Sequence, residues 1–241
     1  MSVLICIDDT DNLESVGTGR LSRMLAEELT KRGLVSNTSV TRHQLLVHPE
    51  IPYTSHNSSA CIEGIPSNGG LQNIIDCAKN FLLKNFHEGA DPGLCVSEKY
   101  AVTEGLQKFG MRAQKEVLTM EEARDVADQL GVYIWLGGGT GQGFIGAMAG
   151  VGLRSTGNDG RFIELKGIRE VKGVKSVGYI LSQTAISRVA TVSGETLADH
   201  ELVNTQNWIR PNLYHKEIVF FVQKIGTLWR STEKKKRKNK D

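Results

Sequence analysis

Asp8, Asp9 and Asp11 stand at the end of an apolar run, residues 3–7, in the opening MSVLICIDDTDN. Like charges this close repel, and removal from water sharpens the repulsion. Two readings meet that cost. One is a solvated, capped turn with surface acids. The other is a cation site at a strand end, in which a divalent ion neutralises the cluster. Gly17, Thr18 and Gly19 follow where a helix should start. The N–H groups and dipole of a helix start attract an anion. Carboxylates and an anion share a site when a divalent cation bridges them, and magnesium held by carboxylates plus phosphate oxygens is that arrangement.

A second segment, G-G-G-T-G-Q-G-F-I-G (137–146), leaves an apolar run and enters a small-residue helix. It contains G-x-G-x-x-G at Gly141, Gly143 and Gly146. Glycine lets the backbone approach phosphate oxygens, so Gly139, Gly141, Gln142 and Gly143 are candidate nucleotide contacts. The competing reading is a turn followed by tight helix packing through Gly146, Ala147, Ala149 and Gly150. No Gly-Lys-Ser/Thr follows, so this is not a Walker A loop. A third segment, H-P-E-I-P-Y-T-S-H-N-S-S-A (48–60), offers Tyr53, Thr54, Ser55, His56 and Asn57 on a loop braced by Pro49 and Pro52. His43 and His48 have no third His or Cys at ligand spacing, which disfavours a transition metal. Ser-His-Asp hydrolysis lacks its G-x-S-x-G context.

The elements that must position these residues can be read from periodicity. Residues 2–7 predict a fully buried strand. Leu21, Met24, Leu25 and Leu29 recur at helical spacing, and Gly33 ends that helix. Strands are expected at 38–41, 44–47 and 60–63. Residues 71–86 predict an amphipathic helix. Thr119 and Glu122 form a capping box for a helix that Gly131 stops. A strand at 132–136 feeds the glycine segment and a helix from Phe144. Further strands are expected at 161–166, 177–181 and 217–223. The pattern is α/β, mixed α+β, expected as a single compact domain with a mixed sheet flanked by helices. Residues 1–226 would form a nucleotide-binding domain, and 227–241 a basic tail.

The 241 residues are 39% hydrophobic and 23% charged, which is ordinary for a globular protein. Net charge is +2, and residues 233–241 alone hold six basic and two acidic residues. The remaining body is therefore −2, without the compositional mark of a large nucleic-acid face. Cys6, Cys61, Cys77 and Cys95 form no C-x-x-C pair. Cys6 in an apolar strand reads as a buried thiol in a reducing compartment. No apolar run approaches membrane-spanning length, so the expectation is a cytoplasmic protein without membrane partners.

Taken together, I-D-D-T-D…T-G-R-L, P-E-I-P-Y-T-S-H-N and G-x-G-F-I-G-A-M-A-G-V-G resemble the ATP-hydrolysing kinase domain of the archaeal isoleucine-tRNA agmatinylcytidine synthetase family. In that family ATP activates a wobble cytidine, and agmatine displaces the activated oxygen. The resemblance implies ATP and Mg²⁺ as cofactors, with Asp8, Asp9 and Asp11 on the metal. Asp9 and Thr18 would be the catalytic residues, Thr18 falling where the family has a threonine linked to phosphoryl transfer. Phosphates would lie across Gly17, Thr18 and Gly19 and across Gly139, Gly141, Gln142 and Gly143, with Asn57 also contacting the nucleotide.

Departures from the family pattern also carry information. Thr54 and His56 stand where the family has basic residues, Gln142 where it usually has arginine, and Gly19 in place of a second threonine. The resemblance runs from about residue 3 to about residue 222. The ferredoxin-like, oligonucleotide-binding and zinc-ribbon domains of the family are not represented. The implied function is an ATP-dependent phosphotransferase or ligase activating an unknown small-molecule acceptor. Two alternatives stand beside it. One is an RNA-modifying enzyme that works with a partner or through its basic tail. The other is a nucleotide-binding regulatory module without catalysis.

Overall fold

A computed structural model describes residues 1–10, 17–51, 57–67, 69–87, 89–130 and 132–232. The chain divides into two units, Met1–Glu164 and Leu165–Asp241. The first carries 14 basic and 20 acidic residues, a net −6, and the second 15 and 7, a net +8.

The first unit runs β1 (Val3–Asp8), α1 (Thr18–Lys31), β2 (Val35–Gln44), β3 (Ser58–Pro66), α2 (Gly70–Asn85), β4 (Gly93–Glu98), α3 (Glu104–Ala113), α4 (Met120–Leu130), β5 (Tyr133–Leu136), α5 (Gly143–Ser155) and β6 (Arg161–Glu164). Its strands order as β5-β4-β1-β3-β2-β6, and every neighbouring pair is antiparallel. Strand β1 is central and buried on both faces, which is why its residues are apolar without alternation. Val3, Ile5 and Ile7 pack with Leu21, Leu25 and Leu29 of α1 and Ile74, Ile75 and Leu82 of α2. Leu4 and Cys6 face the other way, into a core with Leu106 and Phe109 of α3, Ala123 and Ala127 of α4, and Phe144, Met148 and Val151 of α5. The unit is thus three layers, with α1 and α2 on one face of the sheet and α3, α4 and α5 on the other.

The second unit runs β7 (Val174–Ser176), α6 (Val177–Gln183), β8 (Arg188–Thr191), β9 (Leu202–Asn204), β10 (Asn212–Tyr214), β11 (Glu217–Ile225) and β12 (Leu228–Ser231). Pairing here is mixed: β8 with β11 and β9 with β12 are parallel, and β10–β11, β11–β12 and β7–β9 are antiparallel. The mixed α/β class read from the pattern is what the chain adopts, and no helix among the described residues is long and apolar enough to cross a membrane.

Two local expectations differ from what forms. The strand expected at 38–41 lies within β2, which runs on to Gln44 and is kinked by a bulge between Ser36 and Ser39, where Asn37 takes φ 50°, whereas residues 45–47, expected in a second strand, are outside any strand. Residues 177–181, expected as a strand, form helix α6. The Ser176 hydroxyl accepts from the Tyr179 N–H and caps it, and Val177 and Ile180 bury one helical face. Helix α3 and strands β4, β7, β8, β9, β10 and β12 escaped the periodicity reading altogether. His43, weighed above as a metal ligand, is wholly buried. Its Nδ1 meets Asp159 Oδ1 at 2.7 Å and its Nε2 meets Thr41 Oγ1 at 2.8 Å, so both nitrogens serve the fold. Burial pulls its pKa down, against the pull of Asp159.

The far end of α5 is locked by a charge cluster. Arg154, almost fully buried, donates from Nε to Glu63 Oε2 at 2.9 Å and from Nη2 to Ser39 Oγ at 2.9 Å. Glu63 also accepts from Lys99 Nζ at 2.6 Å and Ser2 Oγ at 2.9 Å. Burial alone would raise the Glu63 pKa. Arg154, Lys99 and Ser2 outweigh it and hold the carboxyl below its usual range. A depressed carboxyl pKa adds stability that is present above the unfolded value, about 4.3, and is lost as pH falls through the folded one. Removing one partner of a buried pair costs about 3–5 kcal/mol. Glu63→Gln should therefore lose about that much stability in urea melts at pH 7, and its deficit relative to wild type should shrink below about pH 4. A deficit independent of pH would show that the carboxylate charge is not what holds Arg154.

Candidate active site

Strand β1 ends where two helices begin. Asp8 is its last residue, and Asp9 turns the chain with φ 47°, a left-handed conformation that aspartate tolerates better than most side chains. The Thr10 hydroxyl, buried, donates to Thr18 Oγ1 at 3.1 Å. Thr18 is the first residue of α1, itself buried, and Gly17 is the N-cap with φ 81° and no side-chain cap bond. Thr18 is therefore not a cap. Its hydroxyl is turned toward Thr10, just past the two acids.

Helix α5 starts against the same strand end. Its N-cap is Gln142, also without a side-chain cap bond. A β-carbon built on Gly146 would lie 1.6 Å from Asp8 Oδ2, and one built on Gly143 would lie 2.9 Å from Asp9 Cβ. The Asp8 carboxylate thus occupies the space over the first turn of α5 that any side chain at 146 would take. That turn presents the positive end of the dipole, with the Phe144 and Ile145 N–H groups donating to Gly141 O at 3.2 Å and Gln142 O at 3.0 Å. Farther along, Gly150 packs on Cys6 and Ser59, and Gly152 on the Leu106 carbonyl. The small-residue packing expected of this helix and its approach to the acids are the same feature.

The glycine turn before α5 is held by a residue that the motif reading did not single out. Asp91 Oδ2 accepts from the Thr140 N–H at 2.9 Å and from the Thr140 hydroxyl. Its other carboxylate oxygen lies where a β-carbon on Gly139 (φ 59°) would be, 1.4 Å away. The Asp91 carbonyl and Gly93 N lie similarly against Gly143, and the Gly137 N–H donates to Pro92 O at 2.8 Å. The one trace in the sequence was the turn-forming Asp-Pro-Gly before β4. A cavity of about 430 Å³ opens beside this turn, lined by Leu83, Phe86, Ala90, Asp91 and residues 137–139.

Asp8, Asp9, Thr18, Gly17, Gly139, Gly141, Gln142 and Gly143 are all placed on the β1 end, the α1 start or the turn into α5. Gly19 lies within the first turn of α1, a built β-carbon being 3.3 Å from Ile163 Cδ1. Asn57 belongs to the connection between β2 and β3. Its amide donates to Leu46 O at 2.6 Å, and its carbonyl accepts from Leu45 N and Gln44 Nε2. Asp11, Thr54, His56 and the tail at 233–241 lie outside the described residues. Among the described residues no three His, Cys, Asp or Glu side chains form a metal-binding group. The oxygen donors of Asp8 and Asp9 suit a hard cation rather than a soft one.

No family model matches the chain. Part of it is similar to the isoleucine-tRNA 2-agmatinylcytidine synthetase TiaS of Pyrococcus horikoshii, with 29% identity over 160 residues, covering 63% of this chain and 36% of that protein. Two solved structures are similar at a TM-score of 0.53. One is apo TiaS, described as an isoleucine-tRNA agmatidine synthetase, 25% identical, covering 63% of this chain and 35% of that one. The other is the complex of TiaS with isoleucine tRNA and ATP, 26% identical, covering 63% and 36%. The chain spans about a third of the length of these relatives, which are of the family that the three motifs resemble.

Proposed function

We propose that the chain is an ATP-using, ligase- or phosphotransferase-like enzyme that activates an acceptor by phosphoryl transfer. The observation that carries the reading is the seating of Asp8 and Asp9 against the first turn of α5, directly after a glycine turn and beside the start of α1. Similarity to TiaS, one of whose structures is a complex with isoleucine tRNA and ATP, supports it. Asp8, Asp9 and Asp11 would hold Mg²⁺, which supplies charge neutralisation between carboxylates and phosphates. The N–H groups of residues 141–143 and of residues 17–19 would bind phosphate oxygens. Thr10 fixes the Thr18 hydroxyl, which would face the γ-phosphate or accept it. The acceptor in this reading is a small molecule.

Gly146→Ala and Asp8→Asn test the site together. The new methyl of Gly146→Ala would lie 1.6 Å from Asp8 Oδ2, so the carboxylate must turn aside; overpacking costs about 1–3 kcal/mol, offset in part by about 0.5–1 kcal/mol of helix propensity. Wild type at 100 times the dissociation constant of ATP–Mg²⁺ should gain about 2.7 kcal/mol and melt about 5–11 °C higher. Both variants should fold and lose most of that shift. Without Mg²⁺, Asp8→Asn should bind ATP better than wild type does, because one repelling charge is gone. A full shift in both variants would remove Asp8 from the metal.

A second reading, in which RNA is the acceptor, is favoured by one observation: the net +8 on Leu165–Asp241, against −6 on Met1–Glu164. RNA binding through that unit should fall steeply between about 50 and 200 mM salt, whereas ATP–Mg²⁺ binding should change little. Absence of RNA binding at the lower salt would leave the small-molecule acceptor.

A further inference from the structure

The cavity beside the glycine turn is more than a phosphate chain needs, and its volume, about 430 Å³, falls within the usual range for small-molecule sites. Of its lining residues only Asp91 carries a charge, and that charge is negative. A carboxylate wall with no cation among the lining residues repels phosphate. Leu83 and Phe86 present apolar surface, Leu83 being half exposed. Residues 137–139, also in the lining, are all glycine, so that part of the wall is bare backbone. A cavity lined by aromatic and aliphatic side chains, bare backbone and one hydrogen-bonding carboxylate residue suits a flat heteroaromatic ring better than a flexible chain.

The cavity and the phosphate turn are physically continuous. Gly139 lines the cavity, and Gly143, four residues on, opens α5. Four residues span at most about 14 Å, within the length of one nucleotide. Asp91 joins the two, lining the cavity while its carboxylate accepts from Thr140 and packs against Gly139 in the turn. The geometry points to the cavity as the seat of the nucleobase, packed between Phe86 and the backbone of residues 137–139. The triphosphate then runs along the turn toward Asp8 and Asp9. This inference rests on the phosphate reading above and adds to it where the rest of the nucleotide lies. Asp91 is a positioning residue in this arrangement.

The test compares ATP with inorganic tripolyphosphate, each with Mg²⁺, by calorimetric titration of the full chain. Tripolyphosphate has the phosphates and at least as much charge, but no base. Wild type should bind ATP at least tenfold more tightly. Phe86→Ala and Leu83→Ala should each bring the two affinities toward equality by weakening ATP alone. If Phe86→Ala fails to fold, Leu83→Ala, at a half-exposed position, still gives the readout. Equal affinities in wild type would overturn the nucleobase seat and leave the phosphate reading standing. An unchanged preference for ATP in the folded variants would also overturn it. Failure of both ligands to bind would overturn the phosphate reading, and the nucleobase seat with it.

Discussion

The first unit depends on how closely α5 approaches the sheet. The Asp8 carboxylate fills the space that a side chain at 146 would need, Cys6 and Ser59 fill the space at 150, and Asp91 and Gly93 press on 143. Each contact requires glycine on the helix. The approach lets a helix start come within reach of two carboxylates at a strand end, where ordinary side chains would hold it away. It also removes the helix from water, since eleven of its thirteen residues are buried. A helix so placed cannot be anchored by long apolar side chains on every face. It is held instead by Phe144, Met148, Val151 and Leu153 in the core and by Arg154 at its far end. The carboxylates seated at one end and the ion pair at the other are consequences of one packing distance.

Much of this was legible in the sequence, for reasons that differ by element. Strand β1 and helices α1, α2 and α4 announce themselves because burial on one or both faces dictates their pattern. The acid cluster and the glycine turn were legible because their residue types have few uses. Strand β4 was not, since Gly93, Leu94, Cys95, Val96 and Ser97 are buried without alternation and begin with a glycine chosen for contact with Gly143. Helix α6 reads as a strand because Val177 and Ile180 lie among β-favouring neighbours, and only the Ser176 cap decides it. Asp91 was invisible for a different reason. Its role comes from a contact 49 residues away along the chain, and nothing in its local pattern separates it from any turn aspartate.

Net charge misled in a similar way. An average of −2 for the body without its tail conceals a first unit at −6 and a second, up to residue 232, at +4. Charge becomes informative about partners only when it is counted over the unit that presents it. The boundary at residue 164 falls after a strand rather than at a run of glycine, proline or charge. Composition therefore gave no mark of it.

The same accounting, at the scale of the site, sets a condition on any phosphate ligand. Each helix start contributes roughly half a positive charge. Two such starts just balance one of the two carboxylates at the end of β1. Gln142, at the N-cap of α5, adds no charge, and Asp91 holds the turn with another negative group. A triphosphate arriving alone would enter a region of net negative potential, and at a few ångströms, in a partly desolvated cleft, each uncompensated pair costs several kcal/mol at an effective dielectric of about 20. Backbone N–H groups can orient such a ligand but cannot offset that repulsion. A divalent cation held between the carboxylates and the phosphate oxygens would reverse the sign. In the reading proposed above, nucleotide affinity would therefore be linked to the metal, and the linkage should be steeper here than in a site that has arginine at the position of Gln142.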